Sequence, residues 1–299
     1  MSLLNRPSDG LLSVLLAFRR AILTYGSETE ERLVALCSPP SLGGSPDMAR
    51  KTLTRWKQLG LFRVSNDKVS LSPEVQAIAP DDLDALRAAL LRFVLDPENN
   101  PALAGESGST TDDNESSLAS DFTRAACWVL AQDPYGFPAT WIGVEKLQNG
   151  QDVTPRPFVN DTRWQGFSEW ATFLGVAWNA VAPARLILDP TFAIETLLSK
   201  IFSGEKYLDQ SSFLARLAQH LPIIDGGRFR ILVEKQVERP WRSLRSNAIS
   251  PCLSLALLHL EEKGRIELEM RADAAQKVMV GRDGRELRSV SHIVYKQGM

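Results

Sequence analysis

The sequence predicts a mainly α-helical fold carrying small β wings. Two observations predict it. Before residue 60, three segments with apolar residues at three- and four-residue spacing give way at a glycine to a short stretch of two-residue alternation. The same order of apolar helix, glycine and alternating strand returns near the C-terminus. Helices followed by a small hairpin is the order of a winged helix, a helix-turn-helix variant. The expected architecture is therefore a set of winged-helix modules at the two ends of the chain around a helical middle domain.

Residues 11–25 form the first expected helix, with Leu11, Leu12, Leu15, Leu16, Ile22 and Leu23 on one face, Asp9 as its cap and Gly26 as its stop. A second helix runs from about Glu28 to Cys37, capped by Ser27 or Thr29 and stopped by Pro39-Pro40. Ser45-Pro46-Asp47 opens a third, a cap residue followed by a first-turn proline. That helix points Met48, Leu53, Trp56 and Leu59 inward and ends at Gly60. Phe62 and Val64 then alternate with Leu61, Arg63 and Ser65, Asn66-Asp67 supplies a turn, and Val69 to Leu71 returns. Asp81 to Leu95 is a further helix that completes an N-terminal domain of residues 1–95. Residues 96–117 have almost no apolar content and read as a flexible acidic linker.

A middle domain is drawn at residues 118–210, with helices at Leu118–Ala131 and Thr162–Trp178, the latter bearing Trp164, Phe167, Trp170 and Phe173. Gly175 followed by a strand ending at Pro190 echoes Gly60 followed by Pro73, so a second winged helix stands there beside the simpler reading of a helical domain. Residues 211–299 form the C-terminal domain. Ser250-Pro251 opens a helix with Leu253, Leu257, Leu258 and Leu260 on its apolar face; Gly264 ends it, Ile266–Met270 alternates, and Ser289–Tyr295 returns.

An apolar fraction of 44% with 23% charged residues is that of a chain that buries a core. No window approaches the roughly 18 uninterrupted apolar residues of a membrane span, and Leu11–Phe18 lacks a signal-peptide cleavage pattern, so the expected location is the cytoplasm. Cys37, Cys127 and Cys252 lie far apart without a CxxC spacing, which argues for buried thiols over disulfides or a zinc site. His220, His259 and His292 each stand without a His or Cys three or four residues on. No GxxxxGK[ST], no GxGxxG after a strand, no GxSxG and no HExxH occurs. Glu261-Glu262-Lys263 has the three-letter spacing of a metal-dependent nuclease, but at a helix end it reads better as a solvated face. The chain is expected to have no cofactor and no catalytic or metal-binding residues.

Charge is distributed unevenly beneath a total of −2. Residues 1–80 carry net +3, residues 81–121 net −8 and residues 221–299 net +4. On the third helix, Arg50, Lys51, Arg55 and Lys57 turn away from the Leu53/Trp56 stripe, where a recognition helix presents side chains to phosphates and base edges. A second basic run carries Arg228, Arg230, Arg239, Arg242 and Arg245, with Lys235 and Trp241 among them. Both runs are DNA-contact candidates; protein contact and plain surface are the competing readings.

The opening Met1-Ser2-Leu3-Leu4-Asn5-Arg6-Pro7-Ser8-Asp9-Gly10-Leu11 and the later Leu53-Thr54-Arg55-Trp56-Lys57-Gln58-Leu59-Gly60-Leu61-Phe62 resemble DpdG-type proteins of bacterial islands that place 7-deazapurines in DNA. The resemblance implies an accessory component of a DNA-modification and restriction system, beside helicase and nuclease partners, and transfers no catalytic residues. Two functions follow. One is a non-catalytic adaptor whose winged helices bind double-stranded DNA. The other is a scaffold whose winged helices bind helicase or nuclease proteins instead.

Overall fold

Helices dominate the described residues of the computed structural model, whose strands form two- and three-stranded sheets. The structure describes residues 3–4, 11–39, 41, 46–104, 118–181, 184–239 and 245–296. The chain divides into two compact units, Met1–Thr123 with Asn160–Trp170, and Arg124–Val159 with Ala171–Met299.

The first unit begins with α1 (Leu12–Tyr25), α2 (Glu30–Cys37) and α3 (Pro46–Gln58). Leu15, Phe18 and Ile22 of α1 are buried at the helical spacing expected. The N-cap of α1 is Leu11, with no side-chain cap; Asp9, expected there, lies outside the described residues. Thr29, not Ser27, caps α2, its hydroxyl accepting from the Arg32 amide at 3.4 Å. In α3, Ala49, Thr52, Leu53 and Trp56 are buried.

Strands β1 (Phe62–Ser65) and β2 (Lys68–Leu71) then pair antiparallel, Phe62 opposite Leu71 and Ser65 opposite Lys68. Asn66 and Asp67 both take positive φ, 51° and 58°, as a tight two-residue hairpin turn requires. Glu28 adds an isolated antiparallel bridge to Val69.

After α4 (Pro73–Gln76), helix α5 (Leu83–Leu95) is capped by Asp82, one residue beyond the expected Asp81; its carboxylate accepts from the Ala85 amide at 2.9 Å. Arg19 of α1 is buried and donates to the carbonyls of Ile78, Ala79 and Pro80 at 2.8–3.0 Å, which fixes the turn before α5.

The acidic linker expected from residue 96 does not begin there. A 3-10 turn at Pro97–Asn99 and helix α6 (Pro101–Ala104) are folded. Asn99 Nδ2 donates to the carbonyls of Leu59 (3.1 Å) and Phe93 (2.8 Å), and Asn100 Nδ2 to those of Val94 (2.8 Å) and Asp96 (2.7 Å). The two asparagines satisfy carbonyls left open where α3 and α5 end, so a turn-forming composition here builds a clamp. Residues 105–117 of the expected linker lie outside the described residues.

Helices α7 (Ser120–Leu130), α8 (Trp141–Gly150) and α9 (Asp161–Phe173) follow, and the division between units falls within α7 and α9. Within the first unit, the Leu4 amide donates to Asp121 Oδ2 at 3.0 Å, and Trp170 packs on Trp56 with ring centroids 5.3 Å apart. The expected continuation of α9 to Trp178 is not found. Gly175 takes φ 75°, the helix stops, and Trp178 opens a strand.

The second unit contains an antiparallel hairpin of β3 (Trp178–Val181) and β4 (Ala184–Ile187), then α10 (Thr191–Glu195), α11 (Leu198–Phe202), β5 (Tyr207–Asp209), α12 (Gln210–His220), α13 (Arg228–Glu234), β6 (Ala248–Ile249) and α14 (Pro251–Glu262). Strands β7 (Ile266–Glu269), β8 (Lys277–Val280), β9 (Glu286–Val290) and β10 (His292–Tyr295) complete it. They form sheets of order β5-β10-β7, all antiparallel, and β6-β8-β9, in which β6 runs parallel to β8. The single return strand expected at 289–295 is divided at the buried Ser291 between these two sheets. This unit takes in most of the two segments drawn from the sequence as 118–210 and 211–299.

Three helix-to-strand junctions share one hydrogen-bond pattern. Gly60, Gly175 and Gly264 take φ 86°, 75° and 68° after α3, α9 and α14. The following amides of Leu61, Val176 and Arg265 donate five residues back, to Trp56 (2.9 Å), Ala171 (3.0 Å) and Leu260 (2.9 Å). This is the Schellman closure, in which a left-handed residue lets the chain reverse onto the last helical turn. An L side chain at such φ costs about 1–2 kcal/mol. At Gly264 a Cβ would meet nothing within 4 Å, whereas at Gly175 it would lie 2.2 Å from Phe192 Cδ1. Gly264→Ala is therefore expected to lower the thermal midpoint modestly and Gly175→Ala substantially more. Equal shifts in calorimetry would show that the steric term is relieved.

Candidate nucleic-acid interface

Burial of Ala49, Thr52, Leu53 and Trp56 leaves Arg50, Lys51, Thr54, Lys57 and Gln58 on the opposite arc of α3. Arg50 and Lys51 are exposed. Arg50 has only a loose contact with Asp47 at 3.5 Å, both groups half or more in solvent, so little holds it in place. Lys57 is half-buried and faces α2, its ammonium 2.5 Å from Glu30 Oε2. Its charge is largely spent within the module.

Arg55 departs from expectation. It is 1% exposed and its guanidinium donates to Gln58 Oε1 at 3.3 Å. One position past Thr54 it falls at the margin of the buried arc, where its stem packs inward, so it is withdrawn from the phosphate-contact set. Two cations not singled out from the sequence join the surface instead. Arg63 lies opposite Ser70 and Lys68 opposite Ser65, on exposed positions of the β1–β2 hairpin. No ion pair joins Lys51, Arg63 or Lys68 to a carboxylate among the described residues. Asp67 at the hairpin tip is the acidic neighbour. Strand alternation was the available signal, since counting by twos from buried Phe62 and Leu71 turns Arg63 and Lys68 outward.

The second basic run does not form one strip. Arg228 is exposed at the start of α13 with its guanidinium 4.6 Å from the Phe229 ring centre. Arg230 is 2% exposed and bonded to Glu234 at 2.6 Å. Burial opposes its charge, but Asp225 and Glu234 outweigh that and raise its pKa above the ordinary arginine value. A guanidinium so enclosed cannot reach a phosphate, and the DNA-contact expectation for Arg230 is corrected accordingly. Arg239 is exposed beyond α13. Arg245 is 80% exposed but paired with Glu286 at 2.9 Å. Arg242 and Trp241 lie outside the described residues.

Other chemistry is sparse among the described residues. No group of three or more His, Cys, Asp and Glu side chains comes together as a metal site there. All three cysteines are free. Burial raises the Cys37 thiol to about 11 and pushes Cys127 and Cys252, both fully enclosed, higher still. His259, solitary in the sequence, is paired in space: its Nδ1 lies 2.9 Å from Asp189 Oδ2, a carboxylate that also accepts from Trp178 Nε1 (3.2 Å) and the Thr191 amide (3.0 Å). Seventy residues of separation hid that pair. No described helix is long and apolar enough to cross a membrane.

Helices with small sheets, and cations exposed on one helix and its following hairpin, define the class as a mainly helical protein. The family comparison is more specific. The DpdG-like family model matches residues 1–274, and the chain belongs to that family. Membership connects it with the Dpd modification system. No curated protein and no solved structure matches it.

The interior placement of Arg55 carries its own test. Arg55→Ala is expected to lower the thermal midpoint, because a buried hydrogen-bonding side chain is lost. Arg50→Ala and Lys51→Ala should stay within about 0.5 kcal/mol of the unsubstituted chain. Differential scanning fluorimetry on the three variants checks the contrast.

Proposed function

We propose that this chain is a non-catalytic DNA-binding adaptor of the Dpd modification and defence system, acting in the cytoplasm and needing no cofactor. Residues 12–71 act as a winged helix, with α3 as recognition helix and the β1–β2 hairpin as wing. The order α1, bridge residue Glu28, α2, α3, hairpin supports that reading. The observation that carries the DNA assignment is the set of solvent-facing cations Arg50, Lys51, Arg63 and Lys68 on the two elements that such a module applies to a duplex. Their charge is available to displace counterions from phosphates, which makes the expected affinity electrostatic and steeply salt-dependent.

The second reading is a protein scaffold, its modules packed against helicase or nuclease partners. The withdrawal of Arg55 into the interior and of Lys57 onto Glu30 favours it, since half of the α3 cations then do not face solvent freely.

Fluorescence anisotropy on a labelled 30-mer duplex separates the two. The adaptor reading expects binding that weakens steeply between low and near-physiological salt. Lys51→Glu combined with Arg63→Glu should lower affinity at least tenfold with the thermal midpoint unchanged. Absence of binding at low salt overturns the adaptor and leaves the scaffold.

A further inference from the structure

The second unit holds a surface that the DNA reading does not use. A groove of about 650 Å³ runs along α12, past the turn before α13, to the strands β6 and β8. Leu214, Ala215, Ala218 and Pro222 give it an apolar floor, and Arg228 and Lys277 stand on its wall. Arg228 also begins the outer face of α13. There Arg228, Ile231, Leu232 and Lys235 fall at helical spacing on one side, and Ile231 and Leu232 are 43% and 37% exposed. An apolar strip bounded by cations therefore continues from groove to helix.

Three of its cations are not held in ion pairs with described residues. Asp225, which lines the groove, accepts from the Ser250 amide at 2.7 Å and lies near enough to the enclosed Arg230 to favour its charge. Glu234 is bonded to that same arginine. Both carboxylates are thus engaged with Arg230 or the Ser250 amide, although the Glu234 side chain stays 52% exposed, while among the described residues no ion pair joins Arg228, Lys235 or Lys277 to a carboxylate. Lys277 donates only to the Ser246 carbonyl at 2.9 Å.

We infer that this surface docks an acidic, apolar-bearing peptide segment of a partner protein. Carboxylates of the segment would meet Arg228, Lys235 and Lys277, and its apolar side chains would cover the floor and the Ile231–Leu232 pair. A dehydrated apolar centre inside a charged rim is the layout of protein interfaces. A nucleic-acid backbone would supply the anions but leave the apolar centre uncovered. The chain's own acidic stretch, residues 105–117, does not qualify either, since it contains no apolar side chain larger than glycine. This inference is independent of DNA binding by the first unit.

The test is selection of a displayed library of random dodecapeptides on the full chain, followed by anisotropy with a labelled enriched peptide. Enrichment of Asp and Glu around Leu, Ile or Phe is expected. At least tenfold weaker binding is expected in the double variant Arg228→Glu, Lys277→Glu and, separately, in Ile231→Asp, with thermal midpoints retained. Affinity for the 30-mer duplex should be unchanged in both variants. No enrichment, enrichment without acidic residues, or binding indifferent to these substitutions overturns the inference. Loss of duplex affinity in the same variants would also overturn it, because the surface would then belong to nucleic acid.

Discussion

Complete burial of Trp56 organises the first unit. The indole is 0% exposed and rests against Trp170, while Leu53 and Ala49 extend the same buried arc one and two turns toward the N-terminus of α3. Burying an aromatic and a leucine contributes several kcal/mol, on the order of 1.5–3 kcal/mol per side chain. That term dwarfs the pairing of any surface cation. The rotation of α3 about its axis is therefore set by its apolar face, and the cations inherit their positions. Arg50 and Lys51 face solvent because Trp56 does not, and Arg55 is interior for the same reason.

Much of this was legible in the sequence. The period of Leu53 and Trp56, the first-turn Pro46, Gly60 and the Asn66-Asp67 turn all describe local geometry, and each is found as expected. The DpdG resemblance, resting on two short segments, extends to a family match over residues 1–274. What was not legible depends on contacts distant in sequence. Asn99 and Asn100 look like loop residues until Leu59, 40 positions away, offers its carbonyl. Counting arginines from 228 to 245 marked a basic run as a DNA-contact candidate, but a seven-residue helix buries Arg230 while exposing Arg228. The His259–Asp189 pair joins α14 to the segment before α10, and no local pattern announces it.

The repeated glycine closure links the two units at the level of design. In each case a helix with an apolar face is stopped by a left-handed glycine, and the chain then enters a strand. The outcomes differ with what the strands meet. After Gly60 the hairpin stays two-stranded with exposed Arg63 and Lys68, whereas after Gly264 strand β7 is drawn into a three-stranded sheet with β10 and β5. One local device thus yields an exposed two-stranded hairpin in one unit and the edge strand of a three-stranded sheet in the other. The outward groups diverge accordingly. The first unit presents cations on helix and hairpin, and the second presents an apolar groove rimmed by cations; the two proposals rest on these separate surfaces.

The most direct test is amide hydrogen exchange of the full chain with and without a 30-mer duplex at low salt. Protection concentrated in Pro46–Gln58 and Phe62–Leu71 is the expected result. Duplex-dependent protection that spares both segments would contradict the assignment of α3 and the hairpin as the DNA-facing surface.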